Sequence, residues 1–301
     1  MIKPNHGKSY DILGNFSYYV PGVGQMFVLL ALLLVGAVLG TILTIPFILI
    51  GGGEIGTEVS MIVSYPVMFI PPMIYASVKS KSNRYLHDGV KLDSDHFSPV
   101  GFVMCALMAM ALTLAGSFVA DLPASWLPEM PEALAEALGS MTGGNFILDF
   151  ICVSIFAPFF EEWLCRGMVL RGLLHNNIKP VWAIVISAAF FALIHMNPWQ
   201  AIPAFLLGCA MGYVYYKTGS LLLTMLMHFT NNTFALILSH VDSLAEVENY
   251  QQMFPGAIYW AVFAACVAAV VLTVYKFKQV TLQSPEGNQD KLKSLFSEQP
   301  E

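Results

Sequence analysis

Between Asp11 and Glu54 the chain carries no Asp, Glu, Lys or Arg. A helix of about 20 apolar residues crosses ~30 Å of hydrocarbon, so a charge-free run of this length is a membrane segment before it is anything else. The pattern recurs. Apolar runs follow at 59–78, 99–120, 145–174, 180–217, 221–239 and 257–275. The 180–217 run is too long for one span, and Asn197-Pro198 divides it, because proline disfavours helix at the residue before it. The first run centres on 27–50, which brings the expected spans to eight. Composition agrees: only 11% of the 301 residues are charged, where a soluble domain carries about a quarter. A soluble enzyme, a secreted disulfide scaffold and a disordered chain are excluded by that shortage. The expected fold is an all-α polytopic membrane protein.

The basic residues test the parsing. With eight spans, Lys3, Lys8, Lys79, Lys81, Arg84, Lys91, Arg166, Arg171, Lys179, Lys217, Lys276, Lys278, Lys291 and Lys293 all fall on one side. The opposite loops hold acids, among them Glu54, Glu58, Asp121, Glu129, Glu132, Glu136, Asp242, Glu246 and Glu248. The basic side is expected to be the cytoplasm, with both termini inside a cell (inner) membrane. The segments then read as a cytoplasmic stretch 1–20, three membrane helices in 21–144, four in 145–240, an outer loop and last helix in 241–278, and a disordered tail 279–301. About 20 mostly polar residues precede the first span, an order not expected of a cleavable leader. Cys105, Cys152, Cys165, Cys209 and Cys266 have no paired spacing and read as small buried side chains. The net charge of -6 argues against nucleic acid as a partner.

Ionisable groups inside such helices are functional candidates by default. The fourth span carries Glu161, Glu162 and Arg166; left unpaired, three central charges would cost about 7–10 kcal/mol. Glu162 and Arg166 are four residues apart, share a helix face and can pair. Glu161 points about 100° away and has no partner on its own helix, which leaves a carboxylate free for acid–base work. Phe191 and His195 end the fifth span with the same four-residue spacing, so the ring can wall the site beside the imidazole. His228 and Asn232 in the seventh offer two donors to one point, as an oxyanion site requires. Asn231 is rotated off that face. Each motif has a plainer reading: a static ion-pair cluster, an interfacial histidine, and a polar bridge between helices worth about 1–2 kcal/mol.

Together, EExxxR (Glu161, Glu162, Arg166), FxxxH (Phe191, His195) and HxxxN (His228, Asn232) resemble the three motifs of the CPBP family of intramembrane proteases. That family groups Rce1-type CAAX prenyl proteases with bacteriocin-processing and self-immunity membrane proteins. No HExxH, GxSG or GxGD signature of other intramembrane proteases is present. The resemblance implies an intramembrane endopeptidase in which Glu161, with His195, activates a water, His228 and Asn232 hold the oxyanion, Glu162 and Arg166 order the site, and Phe191 shapes it. The implied substrate is a membrane-embedded or lipid-proximal polypeptide met within the bilayer. Glu161, His195 and His228 could also supply a three-ligand set for Zn²⁺ with an open fourth position; the metal-free water is the preferred reading. A non-catalytic scaffold, peptide-binding or immunity protein is the alternative, and a proton-coupled transporter ranks last for want of an inverted repeat. One tension concerns depth: His195 lies far along its span, which requires either a tilted helix or one that begins after Pro180.

Overall fold

A computed structural model describes residues 13–51, 53–86, 89–94, 96–139, 144–241, 247, 249–254, 256–282 and 292–293. The helices are α1 (Val23–Gly51), α2 (Gly53–Asn83), α3 (Phe102–Ala124), α4 (Glu132–Gly139), a continuous rod α5 over 146–175, α6 (Pro180–Ile194), α7 (Pro198–Thr218), α8 (Leu221–Ser239), a short α9 (Tyr250–Met253) and α10 (Ala257–Phe277). Gly89–Val90 makes a two-residue parallel pairing with Leu292–Lys293. Five helical stretches, Val23–Ile50, Val59–Asn83, Phe102–Ala124, Leu221–Ser239 and Ala257–Phe277, are long and apolar enough to cross a bilayer. The chain is an all-α, multi-pass membrane protein.

By length and composition, five of the eight expected spans qualify among the described residues. The other three fall on α5, α6 and α7. Polar residues dilute α5 and α7, while α6 has only 15 residues. It begins at Pro180 itself, so His195, its C-cap, stands at the far end of a rod about 22 Å long. A late start for this helix is thereby removed as an explanation of His195's depth.

The centre of the molecule is α5, not one of the most apolar helices. Every residue from 162 to 174 is buried, with Trp163, Leu164, Cys165, Met168, Val169 and Leu170 fully so. A helix surrounded on all sides can keep charged groups only where partners reach them. Arg171 illustrates this at the end of the rod. Its guanidinium donates to the carbonyls of Gly167, Val90 and Tyr19, each at 2.6 Å, which ties the segments before α1 and after α2 to α5.

Around this rod the neighbours are paired by chain order: α1 lies on α2 and α6 on α7, while α3 packs on α7, α8 and α10. The α1–α2 contact is close because Gly36 and Gly40 repeat at four residues on one face. A Cβ on Gly36 would collide with the Met68 carbonyl, and one on Gly40 would lie 2.9 Å from the Ser64 carbonyl. Small residues at this spacing let membrane helices approach backbone to backbone. Of the tail expected from 279, Val280 is buried and the Thr281 N–H donates to the Ser98 carbonyl at 3.1 Å. Residues 1–12, most of 283–301, and the outer acids Asp242, Glu246 and Glu248 lie outside the described residues, as do the side chains of Glu54 and Glu58.

Candidate active site

The acidic pair sits on an ordinary α-helical turn, Ala157–Glu162, flanked by two stretches wound with i→i+5 hydrogen bonds, Phe150–Phe156 and Trp163–Leu170. Such wide turns are frequent at functional sites because they shift side-chain register and loosen carbonyls. Glu162 and Arg166 still meet across one turn: the guanidinium Nη1 donates to Glu162 Oε1 at 2.7 Å with both side chains fully buried. Arg166 Nη2 donates to the Gly208 carbonyl at 3.0 Å. Its Cζ lies 4.7 Å over the Phe191 ring, a cation–π contact. Gly208 has to be small there, since a Cβ would come within 3.2 Å of Ala188 and 3.3 Å of Phe191.

Glu162 Oε1 accepts a second hydrogen bond, from His228 Nδ1 at 3.1 Å. A carboxylate can only accept, so Nδ1 carries the proton and Nε2 is turned the other way. Nε2 faces Glu161 Oε2 at 3.9 Å. That separation is too long for a hydrogen bond, yet one water at about 2.8 Å from each atom can touch both. Glu161 Oε2 is buried without a hydrogen-bond partner, although the side chain as a whole keeps 12% of its exposure.

His195 is fixed by its own turn. Its Nδ1 donates to the Phe191 carbonyl at 2.8 Å, and its carbonyl accepts from Asn197 Nδ2 at 2.9 Å. Nε2 is therefore the open ring nitrogen. Met196 follows in the left-handed region at φ 54, which stops α6 and lets Asn197 cap α7 through the Gln200 N–H. Phe191 packs edge-on against both imidazoles, with centroids 5.0 Å from His195 and 5.5 Å from His228. The ring walls the site, and it does so for two histidines.

Residues 143–234 match the family of the type II CAAX prenyl endopeptidase, Rce1-like. That stretch is Rce1-like. It covers under a third of the chain and contains Glu161, Glu162, Arg166, Phe191, His195, His228 and Asn232. No curated protein and no solved structure matches the chain.

Within the Rce1-like segment the three-ligand zinc set is not assembled. Among the described residues no three His, Cys, Asp or Glu groups converge so as to hold an ion. Glu161 Oε2 and His228 Nε2 approach one another at 3.9 Å, while each histidine is oriented through its Nδ1, His228 by Glu162 and His195 by the Phe191 carbonyl.

Asn232 is held in a way that its spacing from His228 does not reveal. In the wide turn, the Ala157 N–H bonds to the Cys152 carbonyl five residues back. The next carbonyl in this series, Val153, would look to residue 158, which is proline and has no N–H. Asn232 Nδ2 supplies the missing donor at 2.8 Å, and Asn231 Nδ2 in turn donates to Asn232 Oδ1 at 3.1 Å. One amide hydrogen of Asn232 is thus spent on the rod. Asn232→Ala leaves the half-buried Val153 carbonyl without its donor and is expected to cost about 1 kcal/mol. Asn231→Ala removes only a partly buried side-chain contact and should cost less; thermal unfolding of the two purified variants compares them.

Sequence reasoning missed Tyr65. It lies on α2, outside the Rce1-like segment, and its hydroxyl donates to Glu161 Oε1. The only signal was a hydroxyl-bearing ring next to Pro66, in a run that also holds Ser60, Ser64, Tyr75 and Ser77.

Proposed function

We propose that this protein is an intramembrane endopeptidase that hydrolyses a peptide bond in a membrane-embedded or lipid-proximal polypeptide. One observation carries the reading: the unpartnered Oε2 of Glu161 faces His228 Nε2 across 3.9 Å, a gap suited to one water. The Rce1-like match over the same residues supports it.

In the proposed reaction Glu161 takes a proton from that water, whose oxygen attacks the scissile carbonyl carbon. The carbonyl oxygen becomes an oxyanion. With protons on both ring nitrogens, His228 is held by Glu162 through Nδ1 and donates to the oxyanion through Nε2. The other amide hydrogen of Asn232 is the second donor. The tetrahedral intermediate collapses as Glu161 returns its proton to the leaving amine. His195, with Nδ1 tied to Phe191, offers Nε2 as an acceptor that orients the water. Phe191 packs edge-on against both imidazoles and walls the site. No step is routed through a metal.

The site is proposed to work from the cytoplasmic half of a cell (inner) membrane, the side on which the sequence gathers its Lys and Arg. The test uses purified full-length protein in detergent, offered a panel of membrane-spanning peptides. His195→Ala and His228→Ala are each expected to lose cleavage while remaining monodisperse and helical. Cleavage that persists in both variants would eliminate this chemistry, whereas a wild-type protein that binds the peptides without cleaving them would favour a scaffold or binding role.

A further inference from the structure

We propose that Tyr65 is a positioning residue for the hydrolytic reaction: its hydroxyl reserves Oε1 of Glu161, so that Oε2 alone meets the water. This rests on the proteolytic reading above. A carboxylate has two equivalent oxygens and can rotate to present either, which blurs the placement of any water it activates. Here the equivalence is broken. Oε1 accepts from the Tyr65 hydroxyl, a hydrogen bond to an ionised acceptor and therefore a strong one. Oε2 has no hydrogen bond and faces His228.

The donor itself is held by packing. Tyr65 and Phe69 are four residues apart on α2, with ring centroids 5.7 Å apart. Phe69 is fully buried and stacks at 5.1 Å on Phe160, the residue before Glu161. From the other side, α1 presses Gly40 against Ser64, the residue before Tyr65. The hydroxyl is thus delivered by the α1–α2 hairpin to a carboxylate on a different helix. A purely structural tyrosine would act through its ring, and the ring contacts survive replacement by phenylalanine.

Tyr65→Phe in the full-length protein separates the two roles. The expected result is a fall in kcat of at least about 10-fold, the size of one hydrogen bond to a charged group, with KM within about 2-fold and a folded protein whose unfolding temperature falls only by what one lost hydrogen bond costs. Site-specific 3-fluorotyrosine at position 65 keeps ring and hydroxyl but alters donor strength. It is expected to change kcat without changing KM, and it remains informative should Tyr65→Phe misfold. Wild-type kcat in folded Tyr65→Phe, or in the fluorotyrosine protein, overturns the assignment while leaving the protease reading intact. A wild-type protein that cleaves none of the peptides overturns both.

Discussion

Glu161→Gln is expected to abolish most cleavage and to leave the fold at least as stable as before. The substitution keeps the shape of the side chain and removes its capacity to take a proton. General-base catalysis contributes roughly 10²–10⁴-fold, so kcat/KM should fall by about that factor. Stability should not follow. Glu161 Oε2 is buried and makes no hydrogen bond, a cost the folded state bears for function. A neutral amide removes the buried charge, and groups kept for chemistry rather than packing often show this opposition between activity and stability. Glu161→Asp makes the complementary point. One methylene shorter, it retains the charge but withdraws from both Tyr65 and His228, and its activity should also fall steeply. Cleavage assays and thermal unfolding on the same preparations read both quantities. Near-normal turnover in Glu161→Gln would dismiss Glu161 as the base.

The second large effect concerns stability, at the neighbouring residue. Arg166→Met should destabilise the protein by about 3–5 kcal/mol, the usual cost of leaving one partner of a buried ion pair uncompensated. Glu162 and Arg166 are both fully buried. Removing the guanidinium also costs the Gly208 carbonyl its donor and Phe191 its cation. Adding Glu162→Gln to Arg166→Met removes the stranded charge and should recover a large part of the loss, a non-additivity that a double-mutant cycle measures. Activity should not return with it. Gln at 162 can present either face to His228, so Nδ1 is no longer held against a fixed acceptor, and Nε2 loses its aim toward Glu161. A double variant that regains stability but not cleavage separates holding the fold from orienting the imidazole. Simple additivity would mean that the pair is not coupled.

The contacts made within one helix were readable from residue spacing. Glu162 with Arg166 and Phe191 with His195 each meet across four residues of one chain segment. Helical geometry gives these approaches whatever surrounds them. The same holds for the membrane class, since charge-free runs depend only on order along the chain, and for the conclusion that Glu161 lacks a partner on its own helix. His228 and Asn232 do share a face, but a common face does not reveal what each nitrogen touches. Pro158 and Asn232 are far apart in sequence, and their relation through the Val153 carbonyl exists only once α8 lies on α5. The wide turns on either side of Ala157–Glu162 were also invisible to a reading that assumed uniform winding.

What the amino-acid order determined by itself was an all-α membrane chain with an acid, a paired acid and two imidazoles placed at helical intervals on three of its helices. Only the packed molecule decided which oxygen of Glu161 is engaged, that Tyr65 engages it, that a fully buried rod forms the centre, and that His195 and His228 flank Phe191 without closing a three-ligand site with Glu161. The reason is physical. Local spacing is imposed by the bond geometry of a single helix, whereas contacts between helices depend on how closely they approach. That approach is set by features such as Gly36 and Gly40 against α2, whose consequence appears two helices away at Glu161.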